Sequence, residues 1–298
     1  MEQTMLKPRP VSKSFLATVR SEGTGLPSRV ILHGTEGIGK SSFGAHAPNP
    51  IFLQSRGETG LETLIDAGLV PQTPHFPEMQ GWEDVLAALV ELRNEEHQFK
   101  TLVIDTLNGL EKLLHEYILR THFAGDIVKF DAYGRGAKVS FVEWRRLFTV
   151  LDEIRTRRRM GIIALCHTRI KTFKNPDGDD YDRYSVDMHE ESWGIAHKWA
   201  DMVLFANYVV AIDSSGNRAK GKGGRQRVIY TTRAAAHDAK NRNNLPETIA
   251  MGSNGSESWT NFKAAVVAGK AAAAKRQSLS DGSADEPKEE TAETETAA

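Results

Sequence analysis

The chain is nearly free of cysteine: among 298 residues only Cys166 carries a thiol, and it lies inside an apolar run. One thiol cannot build a disulfide framework, which sets aside small secreted scaffolds and agrees with a reducing compartment. Long hydrophobic runs are also missing, since no stretch approaches the roughly 20 apolar residues of a membrane helix. The first residues, Met1 to Ser14, are polar and lack the apolar centre of a secretory signal. A cytoplasmic location and no membrane partner are therefore expected.

What is present is ordinary for a globular α/β protein. Hydrophobic residues make up 40% and charged residues 26% of a chain long enough for one large domain or two smaller ones. The net charge of −1 conceals an asymmetry: from Ser278 to Ala298 seven acids face one lysine, a balance of −6, so Met1 to Gln277 carries +5. A mildly basic body with an acidic tail is common among proteins that touch nucleic acid, although such a tail also serves solubility alone.

The most informative stretch runs from Ser28 to Ser42. Arg29 to His33 is short, apolar and β-branched, as a buried strand requires, and Lys40 is a plausible helix start. Between them, Gly34-Thr35-Glu36-Gly37-Ile38-Gly39-Lys40-Ser41 fits G-x-x-x-x-G-K-[ST]. Glycines at this spacing let several N–H groups turn toward a phosphate, and the helix N-terminus adds its dipole. Lys40 is expected on the β- and γ-phosphates of a nucleotide and the Ser41 hydroxyl on Mg²⁺, with Gly34 to Ser42 forming the ATP cradle. The second strong signal is Thr101-Leu-Val-Ile-Asp105, an apolar strand ending in a carboxylate. Asp105 then stands where a Walker B residue would share the metal with Ser41.

The rest of the chain reads as alternating strands and helices. A second short strand, Ile51 to Gln54, precedes Glu58, and residues 70–80 form a loop with three prolines. Amphipathic spacing marks helices over Trp82 to Phe99 and from Leu107 onward. Residues 128–138, with Lys129, Tyr133, Arg135 and Lys138, read either as a mobile loop that stacks on unpaired bases or as a solvated connection. A long helix over Val139 to Arg159 leads to the apolar strand Gly161 to Cys166, which ends in His167. This histidine either follows the state of a γ-phosphate or is structural. Ile170 to Met188 reads as a hairpin around Asn175-Pro-Asp-Gly178. Strands at Met202 to Ala206 and Tyr208 to Ile212 precede a basic loop, Ser214 to Arg227, holding Arg218, Lys220, Lys222, Arg225 and Arg227. That loop suits a phosphate backbone, or is simply solvated. Lys240 and Arg242 follow on a turn from which they could reach a neighbouring subunit. Phe15 to Arg20 reads as an edge strand within a leader of residues 1–27. Residues 28–262 read as the domain, and residues 263–298 as an Ala-rich, then acidic and disordered tail.

Taken together, these segments resemble the RecA-like core of phage-encoded ATPases, the group that includes single-strand annealing and recombination ATPases. The resemblance rests on G-T-E-G-I-G-K-S-S, L-V-I-D-T, Tyr133-Gly-Arg-Gly136, I-I-A-L-C-H-T, N-P-D-G-D-D-Y-D-R-Y and H-D-A-K-N-R-x-x-L-P, in that order. It covers roughly residues 12–262. It implies an α/β fold with a mostly parallel sheet flanked by helices and C-terminal β-hairpins. It also implies ATP hydrolysis with Mg²⁺ in the cytoplasm of a bacterial host, and action on single-stranded DNA by a homo-oligomer. A single-strand-binding protein or other replication proteins are the further partners it implies. Family members carry a catalytic glutamate after the second strand. Here Arg56 stands where an acid is expected, so Glu58 is the implied base and Glu62 the fallback. His167 matches the polar position after the sensor strand, and Lys240 and Arg242 match the trans-acting finger residues. Two other readings stay open: a hexameric helicase-type motor, and a nucleotide-dependent DNA-binding switch or loader with little turnover.

Overall fold

The computed structural model describes residues 15–213 and 220–282. Nine strands form the sheet: β1 (Arg29–Gly34), β2 (Pro50–Gln54), β3 (Thr101–Asp105), β4 (Gly161–Phe173), β5 (Tyr181–Val186), β6 (Met202–Asp213), β7 (Lys220–Tyr230), β8 (Lys240–Asn241) and β9 (Thr248–Ala250). The helices are α1 (Lys40–Ala45), α2 (Gly60–Asp66), α3 (Trp82–Asn94), α4 (Leu107–Phe123), α5 (Ile127–Asp131), α6 (Arg135–Arg157), α7 (Glu190–Trp199) and α8 (Gly255–Gly282). The strand order is β2-β3-β4-β1-β6-β7-β9, with β5 on β4 and β8 on β6. The first five of these strands are parallel, and β7, β8 and β9 join antiparallel. It is an α/β fold with a mostly parallel sheet flanked by helices.

Central parallel strands are covered on both faces, so they read as near-continuous apolar runs. Alternate residues feed two cores. Ile31, Ile104, Ile162, Ala164 and Cys166 pack with α3, α4 and α6 on one face. Val30, Leu32, Val103, Ile163 and Leu165 pack with α1, α2 and α8 on the other. Trp82 and Trp144 meet edge to face in the first core with centroids 6.0 Å apart. The second core is closed by Phe43 of α1 against Trp259 and Phe262 of α8, at 5.2 and 5.3 Å.

Strand β4 lies between β1 and β3, and this insertion positions the site. Gly34 pairs with His167 across β1–β4, Asp105 with Leu165 across β3–β4, and Gln54 with Asp105 across β2–β3. The carboxyl ends of four parallel strands therefore reach one edge, where open α/β sheets bind ligands. Gly34 admits no side chain, because a Cβ there would stand 2.4 Å from the Ala206 carbonyl of β6.

Several expectations from sequence are corrected. Residues 15–18 form a 3₁₀ turn rather than an edge strand, and α3 stops at Asn94 rather than near Phe99. Residues 128–138 are helical, not a loop: α5 and α6 are joined by a short 3₁₀ turn in which Tyr133 takes φ 55° and Gly134 φ 65°. Phe130 packs back on Gly136, where a Cβ would lie 2.4 Å from its ring, so the segment folds onto itself. Strand β4 continues past His167 to Phe173 because β5 takes over its pairing from Thr168 onward. Most of the expected basic loop is strand: β7 starts at Lys220 and pairs with β6. Residue 263 is not a boundary, since α8 runs through it without a break. Its Ala-, Lys- and Gln-rich second half has no apolar stripe, yet those residues are strong helix formers. Residues 283–298, where a disordered acidic tail was expected, lie outside the described residues, as does the start of the leader.

Docking of α8 has a measurable consequence. Phe262 is 4% exposed, so Phe262→Ala is expected to cost about 3–4 kcal/mol in urea unfolding. A loss below about 1 kcal/mol would show that α8 is not part of the folded core.

Candidate nucleotide site at the carboxyl edge of the sheet

The phosphate-loop motif sits between β1 and α1, as the sequence demands. Gly37 and Gly39 take φ 70° and 104°, a region glycine enters without steric cost. Arg227 of β7 closes the loop from outside. Its guanidinium donates to the carbonyl oxygens of Ile38 at 3.1 Å and Gly252 at 2.9 Å. Its Nη1 lies 2.9 Å from where a Gly39 Cβ would stand.

Lys40 is buried and points back into the loop, its ammonium donating to the carbonyls of Gly34 and Thr35, each at 3.0 Å. Burial lowers its pKa, and the nearby Asp105 carboxylate opposes that shift. The Ser41 hydroxyl donates to Asp105 Oδ2 at 2.7 Å. Burial pushes the Asp105 carboxyl up to about 6; the Ser41 hydrogen bond pulls against this and the negative charge of Glu58 adds to it. Thr35 Oγ1 is buried and has no hydrogen-bond partner among the described residues.

Glu58, from the turn after β2, and His167, from β4, meet here. The turn after β2 carries Glu58, its N–H donating to Ser55 at 3.1 Å. Glu58 Oε1 lies 3.1 Å from His167 Nε2 and accepts from the Thr106 hydroxyl at 3.0 Å. The hydrogen bond to His167 holds the Glu58 carboxyl below its ordinary pKa despite partial burial. Thr106 also caps α4 by accepting from Gly109 N at 3.1 Å, so one hydroxyl ties the helix start to the carboxylate. Asn108 fixes β4 by accepting from His167 N at 3.0 Å. His167 Nδ1 is buried and without a partner among the described residues. Burial raises the Cys166 thiol pKa, which leaves it inert as a nucleophile.

The structure thus brings together Gly34 to Ser42, Asp105, Glu58 and His167. The fallback base is excluded by position, because Glu62 sits on α2 facing His75 at 3.6 Å and is 60% exposed. Arg56 points away toward Glu116, so the cation in the expected acid position does not enter the site. Lys240 is a correction. Its ammonium donates to the carbonyls of His197 at 2.7 Å and Ala200 at 2.6 Å, capping the end of α7, and is not free to reach another subunit. Arg242 is exposed. Arg227 is a second correction, since its guanidinium braces the phosphate loop and is not offered to DNA. Arg225, Tyr133, Arg135 and Lys138 are exposed, and Lys129 pairs with Asp126 at 2.9 Å. Arg218 lies outside the described residues, as do the side chains of Lys220 and Lys222.

Sequence reasoning passed over Thr106, Asn108 and the bracing role of Arg227. A signal for Thr106 was available: a threonine directly before a helical stripe is an N-cap signature. Nothing local marks Arg227, which acts on a carbonyl 189 positions earlier.

Comparison with known proteins gives one family. A family model described as "AAA domain" matches residues 26–243. No curated protein matches the chain. Among solved structures, the crystal structure of the RadB recombinase superposes with a TM-score of 0.41 and 10% identity, over 69% of this chain and 80% of that one.

The site predicts an unusual pH dependence for the ligand-free protein. Asp105 ionises near pH 6 when folded but near 3.8 when unfolded. Its protonation therefore adds stability in full below pH 3.8, and this contribution disappears as pH rises through 6. The shift corresponds to about 3 kcal/mol. Asp105→Asn is expected to gain about 1–3 kcal/mol relative to wild type between pH 4.5 and 7.5, measured by urea unfolding in chelator. Parallel curves across that window would refute the assignment.

Proposed function

The chain belongs to the AAA-domain family, and from that premise we propose that it binds and hydrolyses Mg-ATP and acts on single-stranded DNA in phage recombination or replication. The coarser statement, an AAA domain that carries a phosphate loop on a mostly parallel α/β sheet, follows from the family and the sheet. Within the finer one, hydrolysis is supported by a single observation: Glu58, held ionised by His167 and Thr106, stands at the same sheet edge as the Ser41–Asp105 pair; action on DNA rests on the exposed basic and aromatic side chains and on the resemblance in sequence.

The residues fit the metal and the nucleotide. A serine hydroxyl and a carboxylate 2.7 Å apart form a hard-oxygen set suited to Mg²⁺, and the buried Thr35 hydroxyl in the loop has no partner among the described residues. Bound there, Mg²⁺ supplies charge that offsets the negative charge developing on the phosphate oxygens. Lys40 exchanges its carbonyl partners for β- and γ-phosphate oxygens. Glu58 accepts a proton from the attacking water as the water oxygen bonds to the γ-phosphorus and the bond to the ADP oxygen breaks. His167 orients that carboxylate and ties it to the β4–β5 hairpin, whose strand it shares. In a homo-oligomer, exposed Arg242 serves as the trans-acting cation. Single-stranded DNA runs past the exposed Tyr133, Arg135 and Lys138, and past Arg225 with the basic residues Arg218, Lys220 and Lys222. Single-strand-binding or other replication proteins are the partners this reading entails.

The test is turnover of ATP with and without single-stranded DNA. Lys40→Ala is expected to abolish it, and DNA to raise the wild-type rate. Glu58→Gln is expected to lower kcat roughly 10²–10³-fold with ATP binding retained. Turnover in Glu58→Gln within a factor of about three of wild type would remove Glu58 as the base. ATP binding without any turnover would replace the hydrolase with a nucleotide-dependent switch.

A further inference from the structure

We propose that the cleft beside the phosphate loop, walled by Tyr208 of β6 and Arg227 of β7, takes the purine base of the nucleotide, with the Tyr208 ring as its stacking surface. This deepens the nucleotide reading and rests on it.

Register places the cleft. Gly34, where the loop begins, pairs with Ala206 of β6. Tyr208 lies two residues further along the same strand, so it emerges on the same side of the sheet as Ala206, about 7 Å beyond it. Tyr208 pairs with Arg227 on β7, and side chains directly opposite in an antiparallel pair share a face. That face is the one carrying α1, because Arg227 reaches the carbonyl of Ile38 in the loop. Arg227 is thus a wall common to the loop and the cleft, and both its terminal nitrogens donate to backbone carbonyls, those of Ile38 and Gly252.

The cleft has the chemistry a base requires. It is an open cleft of about 660 Å³, and Ala250, Gly252 and Ser253 line it with little bulk. Tyr208 keeps 37% of its surface exposed. The β6–β7 register shifts between Tyr208 and Val210, the kind of irregularity that re-aims a side chain beside a site. Arg225, two residues from Arg227 and exposed, forms part of the same wall. No acidic side chain among the described residues lines the cleft.

Calorimetric titration of ATP and of inorganic tripolyphosphate separates base from phosphate recognition. Wild-type protein is expected to bind ATP more tightly than tripolyphosphate. Tyr208→Ala is expected to weaken ATP roughly ten-fold, within the range of base–aromatic stacking, and to leave tripolyphosphate unchanged. Tyr208→Phe, which keeps the ring, should bind ATP within about two-fold of wild type. Equal loss for both ligands in Tyr208→Ala, or no loss for ATP, would overturn the base site. Tripolyphosphate bound as tightly as ATP by wild type would overturn the base site while sparing the phosphate loop. Binding of neither by wild type would overturn the nucleotide reading and the base site with it.

Discussion

The Lys40 ammonium is buried with two carbonyl oxygens, those of Gly34 and Thr35, in place of water. Removing a cation from water is costly unless opposite charge and hydrogen bonds replace what was lost. The carboxyl edge of the sheet is arranged around that requirement. Asp105 and Glu58 both act on the ammonium through space. Asp105 in turn holds Ser41, and Glu58 holds His167 and Thr106. A positive charge that leans on backbone carbonyls is one that a phosphate can draw away, because an anion offers more than a neutral dipole.

The two carboxylates divide the work through their surroundings. Asp105 is buried and its carboxyl is pushed up to about 6, so it gains most from a cation beside it. Glu58 receives two hydrogen bonds and is held below its ordinary pKa, so it is ionised at neutral pH. Environments that move paired carboxyl groups in opposite directions assign them different roles. The insertion of β4 between β1 and β3 makes this possible, since it sets His167 beside Gly34 and one strand away from Asp105.

The same sheet edge continues toward β7. Arg227 ties the phosphate loop to the β6–β7 hairpin on one side and to Gly252, just before α8, on the other. The loop, the hairpin and the C-terminal helix are therefore one mechanical unit. Phe43 of α1 packs on Trp259 and Phe262 of α8, which closes that unit from beneath.

By itself the sequence determined what is local and periodic. The strands β1, β3 and the first half of β4 are uninterrupted apolar runs, and a run buried on both faces can be read without knowing its neighbours. The phosphate loop is equally legible, because contiguous residues carry all its backbone geometry. Asp105 is legible at the end of its apolar strand, whereas Glu58 becomes a candidate only through the resemblance to phage-encoded ATPases. Only the tertiary structure separates Glu58 from Glu62, four positions on: Glu58 is half-buried against Thr106 and His167, and Glu62 is exposed on α2 beside His75. It also withdrew Lys240 and Arg227 from intermolecular duty, since each spends its donors on distant backbone carbonyls. It turned residues 128–138 into helix because Phe130 found Gly136. These outcomes depend on pairings between residues far apart in the chain. A side chain's partners are fixed only when the sheet order is, and no local pattern of charge or hydrophobicity encodes that order.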